Sequence, residues 1–135
     1  VEEPAEVQRM VSMTPIPEAE LLEEYREWLL DRLEEKTNED LEQRFESSAL
    51  GTPHYYKSDV DGQINIIGAV MAGVDMYYSC ADVNGVVKMR YHTAAQISQV
   101  FQDGVTFKQT IMNNYYAKKD EIETATITEL KGIIL

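Results

Sequence analysis

The stretch Asp75-Met76-Tyr77-Tyr78-Ser79-Cys80-Ala81-Asp82-Val83-Asn84-Gly85-Val86-Val87-Lys88-Met89-Arg90-Tyr91-His92 decides the fold class. Asn84-Gly85 lies between two β-prone runs, and both residues tolerate positive φ, which predicts a β-hairpin. A two-residue turn there would pair Cys80 with Met89 and Tyr78 with Tyr91 on one face. It would pair Ser79 with Arg90 and Ala81 with Lys88 on the other, sorting apolar from polar. A looser turn beginning at Asp82 is the alternative. A lone hairpin is marginal in water, so this one must pack on helices.

Helices are predicted on both sides of it. Thr93-Ala94-Ala95-Gln96 is a capping box. It opens a long helix on which Ile97, Val100, Phe101, Gly104, Phe107, Ile111 and Tyr115 recur at helical spacing. Thr126-Ile127-Thr128-Glu129 is a second box, opening a short last helix with Leu130, Ile133 and Ile134. Upstream, Ser58-Asp59-Val60-Asp61 predicts an N-cap at Ser58 and a helix to about Ala72, ended by a left-handed Gly73. Val60, Ile64, Ile67 and Met71 form one stripe there, extended by Ile66 and Val70. Gly68 and Ala69 leave room for another element to approach closely. Ser47 to Lys57 reads as a connector, with His54-Tyr55-Tyr56 as a short extended piece.

Further upstream, Pro17 suits a first helical turn, and Glu18 and Glu20 favour the positive end of the helix dipole. A helix is expected from Glu18 to about Ala49, with a break near Thr37-Asn38-Glu39-Asp40 and the stripe resumed by Leu41 and Phe45. Leu22, Tyr25, Trp28, Leu29 and Leu33 share one face of it. The stripe has two readings: it packs on its own domain, or it forms a seam with another chain. These five residues are therefore the candidate protein-interaction residues, and a dimer or trimer through this helix is an expected assembly. Pro4, Pro15 and Pro17 mark residues 1–17 as an extended arm. The expected organisation is an arm over 1–17, an acidic amphipathic helix over 18–50 and a compact helix-hairpin-helix domain over 51–135. The class is α+β, mostly helical.

Composition narrows the function. The 135 residues hold 24 Asp and Glu against 12 Lys and Arg, a net charge of −12, which opposes phosphate tracking and so ordinary nucleic-acid binding. Through Leu50 there are 15 acidic and 5 basic residues, and from Gly51 onward 9 and 7, so the acidity sits mostly on the first helix. A DNA mimic is allowed by the charge, but solvation alone explains that face. Apolar residues make up 44 %, enough for a core. Ile64 to Val74, the longest apolar-leaning stretch, falls short of the roughly 20 residues a membrane span needs. Cys80 is the only cysteine, so no intramolecular disulfide forms. Val1 in place of methionine raises the expectation of a processed product or a fragment with a portion upstream.

The chemistry-bearing residues make no catalytic pattern. Cys80, His54 and His92 are isolated, whereas zinc ligands come in short-spaced pairs, so no metal and no cofactor is expected. Asp59-Val60-Asp61-Gly62-Gln63 resembles a calcium loop only in passing, because Gly62 comes too early and Val70 stands where the closing glutamate belongs. Gly68 to Gly73 lacks the Lys-Ser or Lys-Thr of a phosphate loop. A Cys80–His92 hydrolase lacks an oxyanion site and an orienting group. The pairs Tyr55-Tyr56, Tyr77-Tyr78 and Tyr115-Tyr116 suit one ring in the core and one at the boundary.

A series of short motifs carries a resemblance. Phe45-Glu46-Ser47-Ser48-Ala49-Leu50-Gly51-Thr52-Pro53-His54-Tyr55-Tyr56-Lys57-Ser58 is followed by Asp61, Gln63 and Asn65. Then come Tyr78-Ser79-Cys80-Ala81-Asp82-Val83-Asn84-Gly85, His92-Thr93-Ala94-Ala95-Gln96 and Ile122-Glu123-Thr124-Ala125-Thr126-Ile127-Thr128-Glu129-Leu130. In this order they resemble a family of small tail-fibre-associated domains of bacteriophages and prophages, over about Phe45 to Leu135. The resemblance implies a non-enzymatic protein that assists tail-fibre assembly or stays bound to the fibre. The alternatives are a permanent tail, fibre or baseplate component and, as a minor one, a small hydrolase. It implies a tail protein as partner, no nucleic acid and no membrane, in the host cytoplasm during assembly or in the virion tail. It carries over no catalytic residue.

Overall fold

Eight elements follow one another in a computed structural model that describes residues 18–135; the arm expected over 1–17 lies outside the described residues. Helix α1 spans Glu18–Glu42, strands β1 and β2 span Phe45–Ser47 and His54–Tyr56, and helix α2 spans Val60–Ala72. Strands β3 and β4 span Met76–Ala81 and Val87–His92, helix α3 spans Ala94–Thr124, and helix α4 spans Ile127–Lys131. The strands form one antiparallel sheet in the order β1-β2-β3-β4. The fold is α+β with helix dominating, as expected.

The chain divides into two compact units that differ from the expected boundaries. One joins the described residues up to Asn38 to Met112–Leu135, and the other is Glu39–Ile111. The physical reason is that α1 and the C-terminal helices complete one apolar cluster. Leu29 and Leu33 are buried with Ile122, Ala125 and Leu130. Arg26 tightens this unit by donating to the carbonyls of Ile122 and Ala125, the latter at 3.2 Å. Those carbonyls belong to the end of α3 and the residue after it, where a cation also meets the negative end of the dipole. Thr126 and Glu129 cap α4 reciprocally, as read from the sequence.

The other unit is built on the sheet. Its cluster is Phe45, Tyr56, Ile66, Ala69, Cys80, Ile97 and Val100. Phe45 is not the end of the α1 stripe, because α1 stops at Glu42 and Phe45 opens β1, paired with Tyr56. Gly104 allows this: a Cβ there would meet the Phe45 ring at 2.9 Å. Helix α2 is capped by Asp59, not Ser58. The Asp59 carboxylate accepts from the Gly62 amide at 2.8 Å, while the Ser58 carbonyl accepts from Lys108 at 2.9 Å and Gln63 at 3.1 Å. The left-handed Gly73 ends α2 as expected.

The hairpin takes the looser turn. Asp82 accepts from the amides of Asn84 and Val86 through its side chain and from Gly85 through its carbonyl, with Gly85 at φ 79°. This is a type I turn followed by a left-handed glycine, which suits an Asp-x-Asn-Gly sequence. The register is therefore shifted by one from the two-residue pairing: Cys80 faces Lys88, Tyr78 faces Arg90 and Ser79 faces Met89.

Candidate functional site

The five interaction candidates do not form a free surface. Leu29 and Leu33 are buried in their own unit, and Leu22, Tyr25 and Trp28 pack half-buried against the same cluster, with the Tyr25 and Trp28 rings 5.6 Å apart. Of the two readings of that stripe, the intramolecular one describes Leu29 and Leu33. Leu22, Tyr25 and Trp28 keep part of their surface outside that cluster.

Cys80 and His92 lie inside the core, each beside Tyr56. Both are fully buried, and Tyr56 with them. The His92 Nδ1 lies 2.7 Å from the Arg90 carbonyl, which can only accept, so Nδ1 carries the proton. Nε2 is then the acceptor for the Tyr56 hydroxyl, at 2.7 Å. Burial pushes the His92 pKa down and the Tyr56 pKa well above the ordinary phenol range. Arg90 donates to the Cys80 carbonyl and to the Val86 carbonyl at 3.1 Å, and it pairs with Asp82 at 3.4 Å. His54 is taken up by its own loop, with Nδ1 2.9 Å from the Thr52 carbonyl. The network satisfies its members and presents no reacting atom to solvent, so it holds the strands together and does not make a cleft. Among the described residues, no group of three or more His, Cys, Asp or Glu is placed to hold a metal ion.

What stands out on the surface is α2. Its buried residues are Gly62, Ile66 and Ala69. Gly62 lies so close to the preceding loop that a Cβ would sit 2.5 Å from the Lys57 carbonyl oxygen. Small residues thus face inward, and the expected stripe faces out: Val60 is 69 % exposed, Ile64 62 %, Ile67 47 % and Met71 82 %. The spacing 60, 64, 67, 71 keeps these four within one narrow sector of the helix. Gly68 flanks them and has open space where a Cβ would be. Asp61 is the one charged residue in the helix. A groove of about 490 Å³ adjoins Gly68, lined also by Asn65 and Ala72 of α2 and by Met76, Tyr78 and Met89 of the hairpin. On the outward side of the hairpin, Tyr77, Met89 and Tyr91 are exposed as well. Exposed apolar patches of this kind mark interaction sites more often than scattered single residues do.

The sequence places the α2 stripe but not the side it faces, and of the two positions where a close approach was expected, Ala69 is buried while Gly68 meets open space. The available signal was the set Gly62, Ile66 and Ala69. Two small residues on the face of one isoleucine permit close approach, and that decides which side goes in.

Residues 24–133 match a family model described as Domain of unknown function (DUF4376). The chain belongs to this family. Comparison with curated proteins and with solved structures returned no match. No helix among the described residues is long and apolar enough to cross a membrane. The matched span takes in most of both compact units of this DUF4376 chain, so the match covers the α2 face and the core network alike.

Proposed function

We propose that this DUF4376 chain works by binding protein, docking through the outer face of α2 on a tail-fibre polypeptide of the phage or prophage that encodes it, and that it catalyses no reaction. The observation that carries the docking mode is the row of large apolar side chains at Val60, Ile64, Ile67 and Met71, uncovered on a helix with a single charge. Such a row fits an apolar groove or a second helix, and the space at Gly68 receives one side chain of that partner. The fibre context rests on the motif series over Phe45 to Leu135, and the site of action is the host cytoplasm while tails assemble.

The test is cross-linking and mass spectrometry on cells producing the phage, together with gradient-purified particles. The chain is expected to co-purify with fibre protein before assembly is complete, and the double variant Ile64→Asp, Met71→Asp is expected to lose that association while keeping its helical circular dichroism. Absence from finished particles identifies an assembly factor, and a fixed copy number identifies a permanent tail component. Failure of the unaltered chain to associate with any tail protein overturns the proposal.

A further inference from the structure

The sheet ends in two unequal edges. Strand β1 has three residues and β4 has six, and among the described residues no strand lies beyond β4. The Asp82 amide donates to the Val86 carbonyl at 3.1 Å, so these two are a hydrogen-bonded pair at the mouth of the hairpin. Such pairs alternate along an antiparallel ladder, so Lys88, Arg90 and His92 direct their backbone groups at β3. Val87, Met89 and Tyr91 direct theirs outward. They offer three N–H and three C=O groups along one edge, at the spacing of an extended chain. Their side chains share a face of the sheet with Tyr77 and Ser79, and all five are exposed. Cys80 and His92, on the other face, are fully buried. Arg90 is held by Asp82 and by the Cys80 and Val86 carbonyls, while Lys88 beside it stands exposed.

We propose that β4 takes an extended segment of another protein as a fifth strand, one in which carboxylates alternate with apolar residues. The row of backbone groups calls for an extended chain, because a helix has already spent its own. The exposed face suits apolar side chains beside Val87, Met89 and Tyr91, and Lys88 suits a carboxylate opposite it. A second copy of β4 fits poorly. Antiparallel pairing about Met89 sets Lys88 against Arg90 of the second copy, and a slip of two residues either way sets Lys88 against Lys88 or Arg90 against Arg90. Lysine on an edge strand is a usual guard against self-pairing, and here it also selects the partner. This inference does not rest on docking through α2, although Met89 also lines the groove beside Gly68.

The experiment is amide hydrogen exchange of the full chain, read by NMR. The probe is the peptide Thr-Val-Glu-Val-Glu-Val-Thr, blocked at both ends, with its lysine-for-glutamate counterpart as control. In the free chain the Lys88 and Arg90 amides are expected to exchange slowly and those of Val87, Met89 and Tyr91 rapidly. The glutamate peptide should slow these three saturably. Met89→Pro should abolish that protection and keep the circular dichroism, because this nitrogen bonds nothing in β3. Lys88→Glu, which leaves the backbone intact, should weaken the glutamate peptide by about two- to fivefold and strengthen its counterpart. The double variant Ile64→Asp, Met71→Asp should bind the peptide unchanged, and its failure to do so would place the peptide on α2 instead. The proposal is overturned by that result, by outward amides already slow in the free monomer, or by their protection through dimerisation without peptide. It is overturned equally if millimolar peptide leaves them unprotected or if both peptides bind alike.

Discussion

Helices α1 and α2 treat their large apolar side chains in opposite ways. Helix α1 is crowded with carboxylates, yet it buries Leu29 and Leu33 against Ile122, Ala125 and Leu130. Helix α2 carries a single charge, yet it turns Val60, Ile64, Ile67 and Met71 outward and buries Gly62, Ile66 and Ala69. Hydrophobicity alone does not choose the buried face of a helix. The distance its neighbour demands chooses it, and around α2 that distance is short enough to require a glycine against Lys57.

The sharpest way to break this contrast is to truncate one side chain on each helix. Leu29→Ala is expected to cost about 2–5 kcal/mol, the usual range for a large buried residue. Met71→Ala is expected to stay within about 0.5 kcal/mol, as for an exposed site. Urea unfolding of both variants decides it, and equal costs would remove the distinction. A smaller effect separates two glycines of the same helix. Gly62→Ala should destabilise by about 1–3 kcal/mol through overpacking. Gly68→Ala should stabilise by about 0.5–1 kcal/mol, because the helix prefers alanine and nothing stands in the way. A loss at Gly68 equal to that at Gly62 would mean the outer face is not free.

How far the sequence could anticipate this varies by element. The caps at Thr93 and Thr126, the hairpin and the left-handed Gly73 were legible because each rests on a few adjacent residues. Strand β2 falls on the extended piece read at His54-Tyr55-Tyr56, but strand β1 was not legible, since three residues carry no periodicity and Phe45 happens to continue the α1 spacing. The hairpin register was off by one because Asn84-Gly85 fits two turns, and only the Asp82 carboxylate favours the longer one. Ser58 and Asp59 are equally good caps on paper, so the pattern leaves the first residue of α2 open by one.

The smallest expected effect concerns the core network and follows from sign. His92 is held neutral, with its folded pKa below the ordinary imidazole value. The unfolded chain then binds a proton that the folded one refuses. Stability is complete above about pH 7 and falls as pH drops from about 6.5 toward the depressed folded value, with a slope of at most about 1.4 kcal/mol per pH unit. Unfolding free energies of the unaltered chain and His92→Gln between pH 7 and 5 should diverge in slope in that sense. Parallel profiles would show that the folded and unfolded chains take up the His92 proton alike.

The unit that contains α1 is discontinuous along the chain: Arg26 and Ile122, which meet in it, are 96 positions apart. During synthesis at about 5–20 residues per second, Leu29 and Leu33 leave the ribosome seconds before their partners exist. Residues 39–111 are contiguous and can close first. The glutamates of α1 therefore have a task before the fold is finished, keeping an unfinished stripe in solution until the C-terminal helices arrive.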